Sequence, residues 1–220
     1  MSTAQKKNHF YKHYKNKPYR LIDTVRHSET LEELVLYESL YENKLGRLWV
    51  RPKEMFFENV NLEGQSVPRF KAEEISYRTM PLAQPGTREL FYFLYKEIFG
   101  EELSPEKLSQ RIEQHRDLHL LVAFDQDQAL GFKIGYKTDE NVFYSWLGGV
   151  RPAYRRLGIA QELIRRQHLY CELEKIKLIK TKTRPHFAEM LVLNLRAGFR
   201  ITEHRVSGDG SAEILMEKKL

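Results

Sequence analysis

Between positions 150 and 160 the chain reads Val-Arg-Pro-Ala-Tyr-Arg-Arg-Leu-Gly-Ile-Ala. An apolar strand ends at Val150, a short arginine-bearing loop follows, and an amphipathic helix begins at Gly158. The first turn of any helix holds backbone N–H groups without intrahelical partners, at the positive end of the helix dipole. Leu157, Gly158, Ile159 and Ala160 supply such amides. Gly158 and Ala160 are small enough for a bulky anion to approach, and Arg155 and Arg156 add formal charge. A diphosphate suits such a place. Two arginines before a helix are also what a solvated loop offers, but the glycine three residues on and the strand before it favour the anion site. The spacing is neither that of a P-loop nor that of a dinucleotide fingerprint.

The elements that position this stretch are legible from periodicity. Alternation predicts strands over 75–80, 118–124, 129–136, 142–150, 178–183, 199–206 and 212–218. Helices are expected over 88–99 with Thr87 as N-cap and Gly100 as terminator, over 105–115 after Ser104-Pro105, over 158–173 and over 187–197. The order is βααβββαβαββ. On the 158–173 helix Ala160, Leu163, Ile164, Gln167 and Cys171 share a face. On the 187–197 helix positions 187, 190, 191 and 195 are apolar, and Asn194 lies among them. A buried amide must find partners, either a core carbonyl or a bound group.

The segment Arg155-x-x-Gly158-x-Ala160 after a strand ending in valine is similar to the pyrophosphate motif of the GNAT superfamily of acyl-CoA-dependent N-acetyltransferases. The element order agrees, and Met190-Leu191-Val192-Leu193-Asn194-Leu195-Arg196-Ala197-Gly198-Phe199 resembles that family's closing helix with its Gly-Phe end. The resemblance covers about residues 74–220. It implies acetyl-CoA as co-substrate, wedged between splayed strands ending near Val150 and Thr183. The pantetheine would pair with backbone at Gly148, Gly149 and Val150, and a strand N–H would act as oxyanion donor. The amine would attack directly in a ternary complex, so Cys171 is expected to be an inert buried thiol.

Asn194 stands where many members of the family carry a tyrosine acting as acid for the departing thiolate. An amide does not titrate, so Asn194 would steady the thiolate rather than protonate it. Glu140, just before the strand, is a candidate relay to a general base. Tyr144, a further catalytic candidate, and Trp146 share one strand face; with Phe132 and Tyr136 they line an acceptor pocket or simply pack the sheet.

Residues 19–26, 34–41, 48–50 and 55–60 are short strand candidates separated by turns about every ten residues, which predicts a small all-β barrel. With His9-Phe10-Tyr11, Leu48-Trp49-Val50-Arg51-Pro52 and Met55-Phe56, residues 9–70 resemble a small bacterial domain of unknown function. His27-Ser28-Glu29 reads as a turn rather than a triad. The expected organisation is a basic tail at 1–8, the barrel at 9–72 and the acetyltransferase domain at 73–220, with a mixed, mostly antiparallel sheet flanked by helices: an α+β chain.

With 220 residues, 41% hydrophobic and 30% charged, the composition excludes fibrous and largely disordered classes. Its net charge of +6 is interspersed, so no nucleic-acid partner is expected, and no apolar run suits a membrane span. The single cysteine and a hydrophilic start point to the cytoplasm. No Cys/His set has metal-ligand spacing, so no metal is expected. The acceptor would be an amine of a small molecule or a protein. A non-catalytic module that binds coenzyme A, with the barrel holding a partner, is the alternative.

Overall fold

The computed structural model describes residues 9–100, 104–115, 117–208 and 210–220. The basic tail expected at 1–8 lies outside them. Two compact units divide between Ile75 and Ser76.

The first unit contains β1 (Phe10–His13), β2 (Pro18–Arg26), β3 (Glu33–Ser39), β4 (Leu48–Pro52), α1 (Lys53–Phe57), β5 (Asn59–Leu62), β6 (Gln65–Pro68) and β7 (Phe70–Ala72). Five strands form an antiparallel sheet in the order β4-β3-β2-β1-β7, and β5-β6 is a separate hairpin. The expected barrel is not closed: β4 and β7 are the edges of the sheet and do not pair with each other. Strand β4 stops at Pro52, and the chain turns into α1 instead of pairing onward. Phe56 of that helix is fully buried and stacks on Phe70 at 4.1 Å, capping a core of Leu21, Val35 and Tyr37. The strand expected over 55–60 is therefore half helix. Five residues with one buried aromatic are too few for periodicity to separate the two forms.

The second unit contains β8 (Ser76–Thr79), α2 (Thr87–Phe99), α3 (Pro105–Glu113), β9 (Leu118–Asp125), β10 (Gln128–Asp139), β11 (Val142–Val150), a 3-10 turn (Pro152–Tyr154), α4 (Ile159–Leu173), β12 (Leu178–Thr183), α5 (Ala188–Arg196), β13 (Arg200–Val206) and β14 (Ala212–Lys219). The order is the one periodicity predicts. Caps hold with one adjustment: Ser104 Oγ accepts from the Lys107 N–H at 3.4 Å, but Gly86 with φ of 80° precedes α2, and Thr87 is its first, buried residue.

Seven strands align as β13-β14-β12-β11-β10-β9-β8, all antiparallel except β11 beside β12. One face of β9, β10 and β11 packs Leu120, Val122, Phe132, Ile134 and Trp146 with Phe91 and Leu94 of α2 and Leu108 and Ile112 of α3. On the α4 side, Ser145 of β11 hydrogen-bonds Gln167, and Phe143 clusters with Cys171. Two features make the centre irregular. Ile134 pairs with Leu147 while Gly135 pairs with Ser145, so Trp146 is an extra residue, a bulge that bends β11. Parallel pairing of β11 with β12 also ends after Tyr144 and Lys180, whereas β12 stays paired with β14 through Thr183.

Candidate active site

The two central strands diverge just beyond their last backbone pair. Thr181 Oγ1 donates to the Ser145 carbonyl at 2.8 Å, the final tie between them. Beyond it, every second peptide group of residues 146–150 turns away from β10 with no strand beside it. An extended ligand can pair with that edge as a missing strand would.

The open end of the cleft meets the start of α4. Arg156 and Gly158 have φ of 65° and 78°, turning the chain sharply into the helix. The first bond inside α4 runs from the Glu162 N–H to the Gly158 carbonyl at 3.0 Å, which leaves the amides of its first turn outside the helical ladder. A Cβ added at Gly158 would meet no atom within 4 Å, so the nest is open to a large anion. Ile159 is buried and anchors the turn, while Leu157 and Ala160 are half-buried and Arg155 and Arg156 exposed. Arg155 Nε donates to the Val150 carbonyl at 3.3 Å, tying its guanidinium to the end of the open strand. Arg151 turns elsewhere, to Glu97 at 3.2 Å.

Gly148 and Gly149 lie on the open segment, where neighbouring side chains leave little room for a Cβ. A Cβ at Gly149 would sit 2.5 Å from Ile98 Cγ2, and one at Gly148 would sit 2.6 Å from Lys133 Cδ. Asn194 is buried, with Nδ2 3.9 Å from Met216 Sδ, a weak contact for an amide. Met216 faces Thr181 across β14 and β12, so Asn194 stands by the divergence of the strands.

Other expected residues are placed differently. Glu140 is exposed in the turn between β10 and β11, at the closed end. Three strand steps, roughly 10 Å, separate Val142 at the start of β11 from Ser145, and Glu140 lies beyond that start in the turn. Phe132 is fully buried against Phe91 at 5.1 Å and belongs to the core, not to a pocket wall. Tyr136, Tyr144 and Trp146 do gather on the α2–α3 side: Tyr136 lies 5.5 Å from Tyr144 and 6.2 Å from Trp146, with His115 stacked on Tyr136 at 3.5 Å. Burial pushes the Tyr144 phenol up to about 12. The Cys171 thiol is likewise pushed up to about 12 by burial, which makes it inert at neutral pH.

Sequence reasoning passed over Lys133, His168, Lys218 and Glu213. Lys133 is enclosed, and burial brings its ammonium down to about 8. His168 is brought down to about 3 by burial, and Lys218 and Lys133 add to the shift. Glu213, buried on β14, is hydrogen-bonded by Lys182 at 2.5 Å, which holds its carboxyl below the usual range despite desolvation. The signal for Lys133 was present: a lysine amid Leu130-Gly131-Phe132-Lys133-Ile134, whose neighbours are apolar or glycine.

A strand that leaves its parallel neighbour, with the free amides of a helix start at the open end, is the arrangement that the sequence resemblance implies for an acyl-CoA-binding transferase. The chain belongs to the GNAT acetyltransferase family, whose profile matches residues 68–220. A second profile, of proteins of unknown function (DUF1653), matches residues 9–72. No significantly similar curated protein is found. Among solved structures, the chain is similar to the ribosomal-protein-S18-alanine N-acetyltransferase of Escherichia coli, with TM-score 0.57, 14% identity, and 66% of this chain and 94% of that one covered. A GNAT acetyltransferase of Elizabethkingia anophelis with acetyl-CoA bound aligns with TM-score 0.54 and 19% identity, over 66% and 98% of the two chains. A spermidine N-acetyltransferase chimera from Vibrio cholerae and a human enzyme gives TM-score 0.54 and 17% identity, over 66% and 95%. The protein is thus an acyl-CoA-dependent N-acetyltransferase with acetyl-CoA as co-substrate.

Proposed function

We propose that the cleft between β11 and β12 carries out acetyl transfer by direct attack of an amine on the thioester, both substrates being bound together. The observation that carries this reading is the coincidence of the strand divergence with the α4 nest. Amides 158–160, assisted by Arg155 and Arg156, hold the diphosphate. The free edge at Gly148, Gly149 and Val150 takes the pantetheine, and a peptide N–H near the Trp146 bulge stabilises the oxyanion. Asn194 touches the sulfur side of the thioester. The acceptor enters from the α2–α3 side, past Tyr136, Tyr144 and Trp146. Glu140 is too remote for a direct role, and the acceptor's proton leaves to solvent.

Acceptors as unlike as an alanine of a ribosomal protein and spermidine are named for the two similar enzymes, so the fold does not set the acceptor. We assign a small-molecule or protein amine. The lone Cys171 and the DUF1653 resemblance support a bacterial, cytoplasmic enzyme. Thiol release from acetyl-CoA with a mixed amine panel tests the reading. An amide at Asn194 instead of a titrating group favours a second reading, a CoA-binding module without turnover. Thermal stabilisation by coenzyme A with no amine-dependent thiol release would select that second reading.

A further inference from the structure

The α4–α5 side of the cleft holds polar groups that the mechanism above leaves unused. Gly148 lies on the free edge of β11, and the Lys133 stem crosses over it, which is why a Cβ there would strike Lys133 Cδ at 2.6 Å. Gln167 spends its Oε1 on Ser145 Oγ at 2.7 Å, which leaves its buried Nε2 without a partner. His168 takes Lys218 Nζ at 2.8 Å on Nδ1, so as a neutral ring it carries its proton on Nε2, also buried and without a partner. Asn194 Nδ2 meets only a thioether sulfur.

Every member of this set is a donor, and buried donors need acceptors. Among the described residues, no carboxylate faces Lys133. Its cross-strand neighbours are Leu121 on β9 and Gly148 on β11, and the titratable group of α4 that senses it is His168, itself bonded by Lys218 of β14. The carboxylates of β14, Glu213 and Glu217, are paired with Lys182 and Lys180. The donors suit an anion or an acceptor-rich group, beside the point where the strands diverge.

Resting on the proposed placement of acetyl-CoA, we propose that Lys133, on the same side of the sheet as the α4 donors Gln167 and His168, holds the departing sulfur of coenzyme A as a thiolate paired with its ammonium. It passes the sulfur a proton only as coenzyme A leaves, a proton that Asn194 cannot supply. The acceptor nitrogen bonds the carbonyl carbon, and the C–S bond breaks with its electron pair on sulfur. Lys133 gives that sulfur a proton, and the proton lost by the acceptor nitrogen returns to solvent, from which Lys133 is recharged. No further reactant is needed. A lysine near 8 and a thiol near ~8.5 are closely matched, which favours transfer in either direction.

Coenzyme A and desulfo-coenzyme A, which lacks the sulfur, separate this role from general cofactor binding. In the unaltered protein, bound coenzyme A should show ultraviolet thiolate absorbance titrating well below ~8.5, and it should bind about tenfold more tightly than the desulfo compound near neutrality. Lys133→Met should return the thiol to its ordinary range and erase that preference, with desulfo-coenzyme A bound as before. It should also remove an alkaline limb near 8 from the kcat profile. A bound thiol titrating at or above its free value in the unaltered protein overturns the proposal without any variant. Equal titration in Lys133→Met overturns it too. Should desulfo-coenzyme A fail to bind at all, the cofactor placement falls and takes this role with it.

Discussion

The two faces of the central sheet differ in how they satisfy polar groups. Toward α2 and α3, the residues around the strand divergence are aromatic, and the nearby carboxylate Glu213 is neutralised by Lys182 and Arg205. Toward α4 and α5, Lys133, Gln167, His168 and Asn194 present donors, two of them orphaned. A face whose charges are already paired can accept an amine and release an amide at little electrostatic cost. A face of unmatched donors is built for a partner that develops negative charge. On the proposed placement of the thioester, the β11–β12 gap would separate acceptor chemistry from leaving-group chemistry, with the glycines and the bulge of β11 letting both faces reach it.

The largest effect should come from closing the nest that serves the donor face. Gly158→Glu puts a carboxylate, and a side chain at φ of 78°, where the diphosphate belongs. Acetyl-CoA at a hundred times its dissociation constant stabilises a fold by about 2.7 kcal/mol, a rise of several degrees in melting temperature. That rise should vanish in the variant. A persisting shift would move the anion site elsewhere.

Next comes the stability of the donor face itself. The Lys133 ammonium near 8 stands against an unfolded value of 10.5, so its charged form is disfavoured in the fold by about 3 kcal/mol. Below pH 8 both states hold the proton and the fold carries the full penalty. Between 8 and 10.5 the unfolded chain holds it alone, so stability rises with pH and the penalty disappears. Lys133→Met should therefore be more stable than the parent at pH 7, by an amount that shrinks above pH 8, in denaturant titrations. A less stable variant at neutral pH would mean that Lys133 has a structural partner after all. On the opposite face, Trp146→Ala should raise the acceptor KM by roughly tenfold through lost aromatic contact, with coenzyme A affinity unchanged.

The sequence made much of this legible, and unevenly so. Element order in the second unit followed from hydrophobic period because most of its strands and helices are long and packed on at least one face, β8 and the fully exposed β13 excepted. The turn into α4 was readable because it depends on local backbone, where Gly158 marks the positive φ; that a diphosphate sits there is our proposal. Long-range geometry was harder to see. Glu140 looked close to the chemistry because it precedes β11, yet a strand carries its ends far apart. Phe132 seemed fit for a pocket wall, but alternation assigns a face and not a depth. Lys133 was overlooked because its meaning depends on Gly148 across the strand pair and on His168 from a helix, neighbours that only the fold supplies. The barrel failed for a related reason: whether edge strands meet is decided by where α1 departs, and Pro52 gives only a hint of that.

The smallest expected effect bears most directly on the contrast between the faces. Tyr144 sits on the acceptor side of the same strand, its phenol held near 12 by burial. Across the working pH range it stays neutral, so it neither takes the acceptor's proton nor contributes a limb near 8. Tyr144→Phe should keep kcat within about twofold, since the ring and its packing survive. The alkaline limb should also stay where it was. Lys133→Met should remove that limb while leaving the acceptor KM alone. If Tyr144→Phe instead abolished the limb, the proton that reaches sulfur would have to come through the aromatic face. The sheet would then not divide the reaction as its polar groups suggest.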